Sequence, residues 1–301
     1  MKSTIQLCTY NRAQLLERVL DACFEQTVSG ADYEVVLVND GSTDDTPAVI
    51  ARAQRRATCP FTVVNQPNGG LAKARNAGLA AATGERIILI DDDVLPLPNF
   101  VAEHLRSQEK HPGAIVRGAA INTESFDDLP PPIWSIRNYS GNYFWTTNVS
   151  VPLATLRAAG GFNESFAEYG WEDIDVGLRL RFSGVRAVFN PRALVYHYKP
   201  QPRGSDVERM VRQARAQART AVQLAALHPH WRTYLATGDN PAQRVLHRWI
   251  RGVGAMRKFR SALENIEAQQ PLDKLQRRLA SRLAAEAYFE ELDRARRMAR
   301  G

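Results

Sequence analysis

Short apolar runs and amphipathic stretches take turns along the first hundred residues of the chain. Residues 3–8 read as a first strand, and Tyr33-Glu-Val-Val-Leu-Val-Asn39 as a second, buried one. Residues 61–65 give a third. The run Ile87 to Ile90 is short, β-branched and unalternating, as suits a strand covered on both faces. Between these strands Leu15, Leu16, Val19, Leu20, Cys23 and Phe24 recur at helical spacing. A second helix runs to about Arg56, with Ser42 or Thr43 placed to cap it. A third, Ala-rich helix covers residues 71–82 and closes at Thr83-Gly84. This alternation predicts an α/β fold, a mostly parallel sheet flanked by helices with right-handed crossovers.

The pattern loosens after residue 99. A helix is expected over 99–110 and a strand over 114–120. A stiff loop containing Pro130-Pro-Pro132 cannot join a central strand. A strand over 142–150, a helix over 153–159 ended by Gly160-Gly161, a helix from Gly170 to about Ser183, and short strands over 187–189 and 193–198 follow. Beyond Pro200 strand signals stop, and helices are expected over 205–227, 241–267 and 272–299. The last carries an apolar stripe of Leu272, Leu275, Leu279, Leu283 and Phe289. The expected domains are therefore 1–203 and a helical C-terminal extension, 204–301.

Charge follows the same division. The net charge of +7 conceals 20 Lys/Arg against 10 Asp/Glu from Gln201 onward, and 19 against 22 before it. A basic tail favours an anionic partner: a membrane surface, a nucleic acid or a phosphorylated acceptor. It also fits a packed helical cap with a solvated face. No nucleic-acid motif accompanies it, which leaves nucleic acid the weakest of these. The last helix could pair with a second copy, giving a homodimer. Cys8, Cys23 and Cys59 form neither a disulfide framework nor a metal-ligand spacing. No apolar run approaches the roughly 20 residues that cross a bilayer. These features predict a cytoplasmic protein, with peripheral contact at the inner membrane face as one option.

Candidate chemistry lies at the strand ends. Asp91, Asp92 and Asp93 close the fourth strand, where α/β sheets gather ligands. Three adjacent acids repel one another unless a cation sits among them, and a hard divalent metal holding phosphate oxygens fits. Capping of the helix after Pro98 is the other reading. The crowded aromatics Trp134, Tyr139, Tyr143, Phe144 and Trp145 read either as core or as a platform for a ligand's apolar face. Asp40-Gly41 also suits a plain turn, and Glu172 and Asp173 also suit the dipole of a helix's first turn.

Five motifs stand in one order: Thr9-Tyr-Asn-Arg12, Val38-Asn-Asp-Gly-Ser-Thr-Asp44, Asn68-Gly-Gly-Leu-Ala-Lys-Ala-Arg-Asn-Ala-Gly78, Asp91-Asp-Asp93 and Gly170-Trp-Glu-Asp173. Over residues 3–200 the chain resembles the family 2 glycosyltransferases of the GT-A fold. The resemblance implies a Rossmann-like sheet and a metal-dependent, inverting transfer of a hexose from a nucleotide-sugar, a UDP-sugar first, to a hydroxyl acceptor. Bacterial glycan or glycolipid synthesis is the setting it implies, with a saccharide or lipid-linked acceptor. By the same resemblance Thr9, Tyr10 and Arg12 surround the nucleobase, and Asp40 accepts a hydrogen bond from base or ribose. Lys73 and Arg75 lie near the diphosphate and the carboxylates. Asp91 contacts ribose or organises its loop, and Asp92 lines the nucleotide site. Asp93 and His197 hold Mn²⁺ or Mg²⁺, imidazole suiting Mn²⁺ better. Asp173 is the general base, Glu172 its acidic neighbour, and Trp171 and Trp145 face the acceptor. The alternatives are a sugar-phosphate nucleotidyltransferase, and a non-enzymatic binder of nucleotide-sugar or polynucleotide.

Overall fold

In the computed structural model, which describes residues 2–299 apart from 253–258, 260, 262, 264 and 265, the chain divides into two units. One is Met1–Ala167 with Glu172–Pro200; the other is Glu168–Trp171 with Gln201–Gly301. The main boundary falls three residues before the expected one. The assignment of 168–171 to the second unit was not visible in the sequence.

The first unit begins with β1 (Ser3–Thr9), β2 (Tyr33–Asp40), β3 (Phe61–Gln66) and β4 (Arg86–Ile90), joined by α1 (Ala13–Phe24), α2 (Thr46–Arg56) and α3 (Leu71–Ala81). Every residue of β2 and β4 is buried, which is why their apolar runs do not alternate. The helix α1 turns Leu16, Val19, Leu20, Cys23 and Phe24 inward. The chain continues through β5 (Val94–Pro96), α4 (Phe100–Lys110), β6 (Ile115–Thr123), β7 (Asn148–Pro152), α5 (Leu153–Ala158), α6 (Glu172–Phe182) and β8 (Ala187–Tyr198).

The sheet order is β3-β2-β1-β4-β7-β6-β8-β5. Pairs β1–β2, β2–β3, β1–β4 and β6–β8 are parallel; β4–β7, β6–β7 and β5–β8 are antiparallel. The order reverses between β1 and β4. Their carboxyl ends, Thr9 and the acids after Ile90, therefore flank the crevice where such sheets take ligands.

Three local expectations change. The strand expected from 142 begins only at Asn148, because residues 142–147 are held elsewhere: Arg117 takes the Asn142 carbonyl at 2.9 Å. The two short strands around Pro191 are one strand, β8. Its proline is tolerated because the register with β6 slips between Gly118 and Ala119. The three-residue β5 was unforeseen. It pairs antiparallel with β8 and sets Val94 opposite His197.

The second unit holds α7 (Asp206–Leu227), α8 (Trp231–Ala236), α9 (Pro241–Gly252) and α10 (Lys274–Met298). Ala214, Ala218 and Ala221 of α7 pack with Tyr288, Phe289 and Leu292 of α10. A second cluster joins Val207, Leu263, Leu272, Ala280 and Leu283. Of the expected stripe, Leu275 is exposed instead. Asp273 and Gln276 form a reciprocal cap at the start of α10. Most of the expected 241–267 helix beyond Gly252 lies outside the described residues. Part of the basic surplus is neutralised within the unit, since Arg219 pairs with Glu168 and Glu291. Among the described residues no helix is long and apolar enough to cross a membrane.

Candidate active site

Two loops at the carboxyl ends of β1 and β2 are stapled together by Asn11. Its backbone is left-handed, at φ 53°. Its Oδ1 accepts from the Thr43 backbone N–H at 2.7 Å and the Asp44 N–H at 3.3 Å, and its own N–H donates to Ser42 Oγ at 3.0 Å. Asp44 returns the tie, accepting from the Ala13 N–H at 3.1 Å and the Thr46 N–H at 3.0 Å. Neither Ser42 nor Thr43 caps α2; the helix starts at Thr46 without a side-chain cap.

Asp40 is buried, and most of its hydrogen-bonding capacity is committed. Oδ1 accepts from Gln66 Nε2 at 2.7 Å and the Gly69 N–H at 2.9 Å, while Oδ2 accepts from the Gly70 N–H at 3.0 Å. It therefore shapes the 66–70 turn, in which Gly70 has φ 86°. It also lines a cavity of about 300 Å³ together with Thr9, Tyr10, Arg12, Leu71 and Asp92. Tyr10 is half exposed there. Thr9 is buried beside Asp92, whose carboxyl it faces.

The three aspartates face different neighbours. Asp91 Oδ2 accepts from Thr147 Oγ1 at 2.7 Å, and Oδ1 lies 3.3 Å from Arg75 Nη2. The antiparallel register explains the first contact: Ile90 opposes Asn148, so the next residues along meet. Asp92 faces the cavity, and burial pushes its carboxyl up to about 7, against the pull of Arg12. Asp93 Oδ1 is 3.4 Å from His197 Nε2, with side chains only 14% and 8% exposed. Burial opposes ionisation of Asp93, but His197, Lys199 and Arg12 outweigh it and hold the carboxyl below its ordinary value. The β5–β8 pairing builds this contact, since the Tyr198 N–H donates to the Asp93 carbonyl at 2.9 Å. A carboxylate oxygen and an imidazole nitrogen so close suit a borderline cation such as Mn²⁺. Among the described residues no cluster of three or more potential metal ligands exists. Trp145 stands edge-on to His197 with ring centres 6.2 Å apart.

Arg75 is buried among the acids. Nη1 donates to Glu172 Oε1 at 2.7 Å and Nη2 to Thr146 Oγ1 at 2.6 Å, and the guanidinium lies over Phe162 at 5.2 Å. It thus sits in the carboxylate network rather than in the open, where Lys73 is exposed. Asp173 carries one hydrogen bond, from the Ile174 N–H to Oδ1 at 2.7 Å. Burial and the neighbouring Glu172 carboxylate push Asp173 up toward neutrality, and Arg75 pulls the other way. Trp171, expected at the acceptor, belongs to the second unit. Its backbone is left-handed at φ 74°, and its Nε1 donates to the Gln217 carbonyl at 2.7 Å.

Sequence reasoning named Asp40, Arg75, the aspartates, His197 and the 172–173 pair. It missed Asn11 as a staple, Thr147 as a partner of Asp91 and Thr146 as a partner of Arg75. The signal for the threonines was their place just ahead of a strand antiparallel to β4.

A family model described as Glycosyl transferase family 2 matches residues 4–170. Validoxylamine A glucosyltransferase of Streptomyces hygroscopicus subsp. jinggangensis is 29% identical over 218 residues, 60% of this chain and 52% of that protein. Chondroitin synthase of Pasteurella multocida is 38% identical over 247 residues, 68% of this chain and 26% of that protein. The chain spans about half the length of the validoxylamine A glucosyltransferases it matches. Among solved structures, a mannosyltransferase from Pyrobaculum calidifontis in complex with GDP-Man and Mn²⁺ aligns with TM-score 0.64 at 21% identity, over 97% of this chain and 85% of that one. S. aureus TarS 1–349 in complex with UDP-GlcNAc aligns with TM-score 0.58 at 18% identity, over 99% and 92%. At such identities the likeness is one of fold.

Proposed function

The chain belongs to glycosyl transferase family 2, and from that premise we propose that it moves a hexose from a nucleotide-sugar, with a UDP-sugar as donor, to a hydroxyl acceptor. The reaction is metal-dependent and inverting, and serves bacterial glycan or glycolipid synthesis. The observation that carries this reading is the position of Arg75. One guanidinium links Asp91, at the strand end leading to Asp93, with Glu172, next to Asp173. Donor-side and acceptor-side acids thus belong to one network.

Tyr10 offers its ring to the face of the base. Asp40 holds the 66–70 turn and turns its spare lone pairs to base or ribose. Asp93 and His197 would hold Mn²⁺, or Mg²⁺ with less preference, and such an ion would supply positive charge for the departing diphosphate. Lys73 adds positive charge on the exposed start of α3. Asp173 takes the proton from the acceptor hydroxyl as its oxygen bonds to the anomeric carbon. The bond to the diphosphate oxygen breaks on the opposite face, so the configuration inverts. Trp145, beside His197, provides an apolar wall for a sugar ring. The basic surplus of the helical unit, with exposed Trp231 and Leu235, supports peripheral contact with an anionic membrane face.

The test is product analysis with UDP- and GDP-sugars, Mn²⁺ and a panel of hydroxyl acceptors. A glycoside of inverted anomeric configuration, lost in Asp173→Asn, supports the proposal. Formation of a sugar nucleotide from nucleoside triphosphate and sugar phosphate, with no glycoside, overturns it.

A further inference from the structure

The two acids that open α6 are neighbours in sequence, yet their surroundings differ. Glu172 is held: its Oε1 receives Arg75 Nη1 at 2.7 Å, and its side chain is 12% exposed. No side chain among the described residues donates to Asp173. The residue that makes the difference comes from α3, nearly a hundred positions away. Arg75 is itself fixed on several sides. Gln6 Nε2 donates to its backbone carbonyl at 2.7 Å, a contact that Gly78 permits because a Cβ there would stand 2.2 Å from that nitrogen. Its Nη2 donates to Thr146 and faces Asp91, and its plane rests over Phe162. A planar fork can make these contacts together; an ammonium cannot.

We propose that Arg75 is a positioning residue that fixes Glu172 as a bound carboxylate and thereby selects Asp173 as the acid that takes the acceptor's proton. This rests on the transferase reading above. The charged groups around Asp173 are Glu172 on its own helix, Arg75 from α3 and Asp91 from the end of β4. Removing Arg75 leaves three carboxylates without their common cation. Asp173 then holds its proton to higher pH, and Glu172 is free to turn. Removing Glu172 takes away a like charge, and Asp173 releases its proton at lower pH.

The experiment is a pH profile of kcat/KM for the full chain and for Arg75→Lys, Arg75→Met, Glu172→Gln and Arg75→Met/Glu172→Gln. It is paired with carbon-13 carboxyl titration of Asp173, identified by its absence in Asp173→Asn. Arg75→Met should lower kcat at pH 7 about 10–100-fold, leave donor KM nearly unchanged, and move the acidic limb up by about one pH unit. Arg75→Lys should recover part of kcat. Glu172→Gln should keep measurable transfer and move the limb down. The double variant, which also keeps the fold if Arg75→Met alone does not, should return the limb toward the parent's position. Abolition of transfer by Glu172→Gln, with Asp173→Asn still active, overturns the proposal. An Asp173 titration that Glu172→Gln leaves unmoved overturns it as well. Because the carboxyl titration needs no donor, it still decides the proposal if no transfer is found and the transferase reading itself fails.

Discussion

Asp91–Asp93 and Glu172-Asp173 are both rows of adjacent acids, one at a strand end and one at a helix start. At the strand end the three acids occupy the turn between β4 and β5, and each meets a different neighbour. Asp91 meets Thr147 and Arg75, Asp92 faces the cavity and Asp93 meets His197. At the helix start repulsion is relieved differently: Arg75 pairs with Glu172, and burial together with the Glu172 charge pushes the Asp173 carboxyl up. The first row distributes charge among separate partners. The second pairs one acid and leaves its neighbour able to exchange a proton. The shared residue Arg75 makes the contrast possible.

Substitutions in each row should break that contrast in different ways. The largest effect is expected at Asp173: Asp173→Asn should lower kcat by about 10²–10⁴, with the fold intact by circular dichroism. Asp93→Ala should cost about a hundredfold or more, and EDTA should reproduce the loss in the parent protein, with Mn²⁺ restoring it. Asp173→Asn should instead still bind nucleotide with metal.

The pH dependence sharpens the same point. As the proposed base Asp173 would work deprotonated, and its carboxyl is pushed up to about 7. The rate should therefore rise with pH through neutrality, where an ordinary aspartate would already have reached its plateau near pH 5. A kcat/KM profile flat between pH 5 and 8 contradicts this.

Smaller effects are expected where residues shape the loops. Gly78→Ala should destabilise the sheet unit by about 1–3 kcal/mol, read by denaturant unfolding, because Gln6 must give way. Asn11→Ala should cost about 1 kcal/mol and weaken nucleotide binding, read by calorimetry, without shifting the pH profile.

The alternation of runs over residues 3–90 was plain in the sequence because a strand buried on both faces needs no polar partner and leaves an unbroken apolar run. The motif loops were plain because their glycines and acids cluster. Val94–Pro96 was not, since three residues carry no period; only pairing with β8 makes them a strand. The contact of Asp93 with His197 depends on that pairing, so periodicity could not supply it and only resemblance did. Pro191 concealed the continuity of β8, because the bulge opposite it is a property of the partner strand. The roles of Thr146, Thr147 and Asn11 depend on register and a left-handed backbone, neither of which a composition rule reads. The fate of Trp171 depends on contacts made by a helix some 46 residues further on.

The most direct test of the account is the anomalous scattering of manganese in crystals grown with UDP and Mn²⁺. The account predicts a peak between Asp93 Oδ1 and His197 Nε2, with the diphosphate bound to it and the base beside Tyr10. A peak elsewhere, or a nucleotide bound with no ion at Asp93, contradicts it.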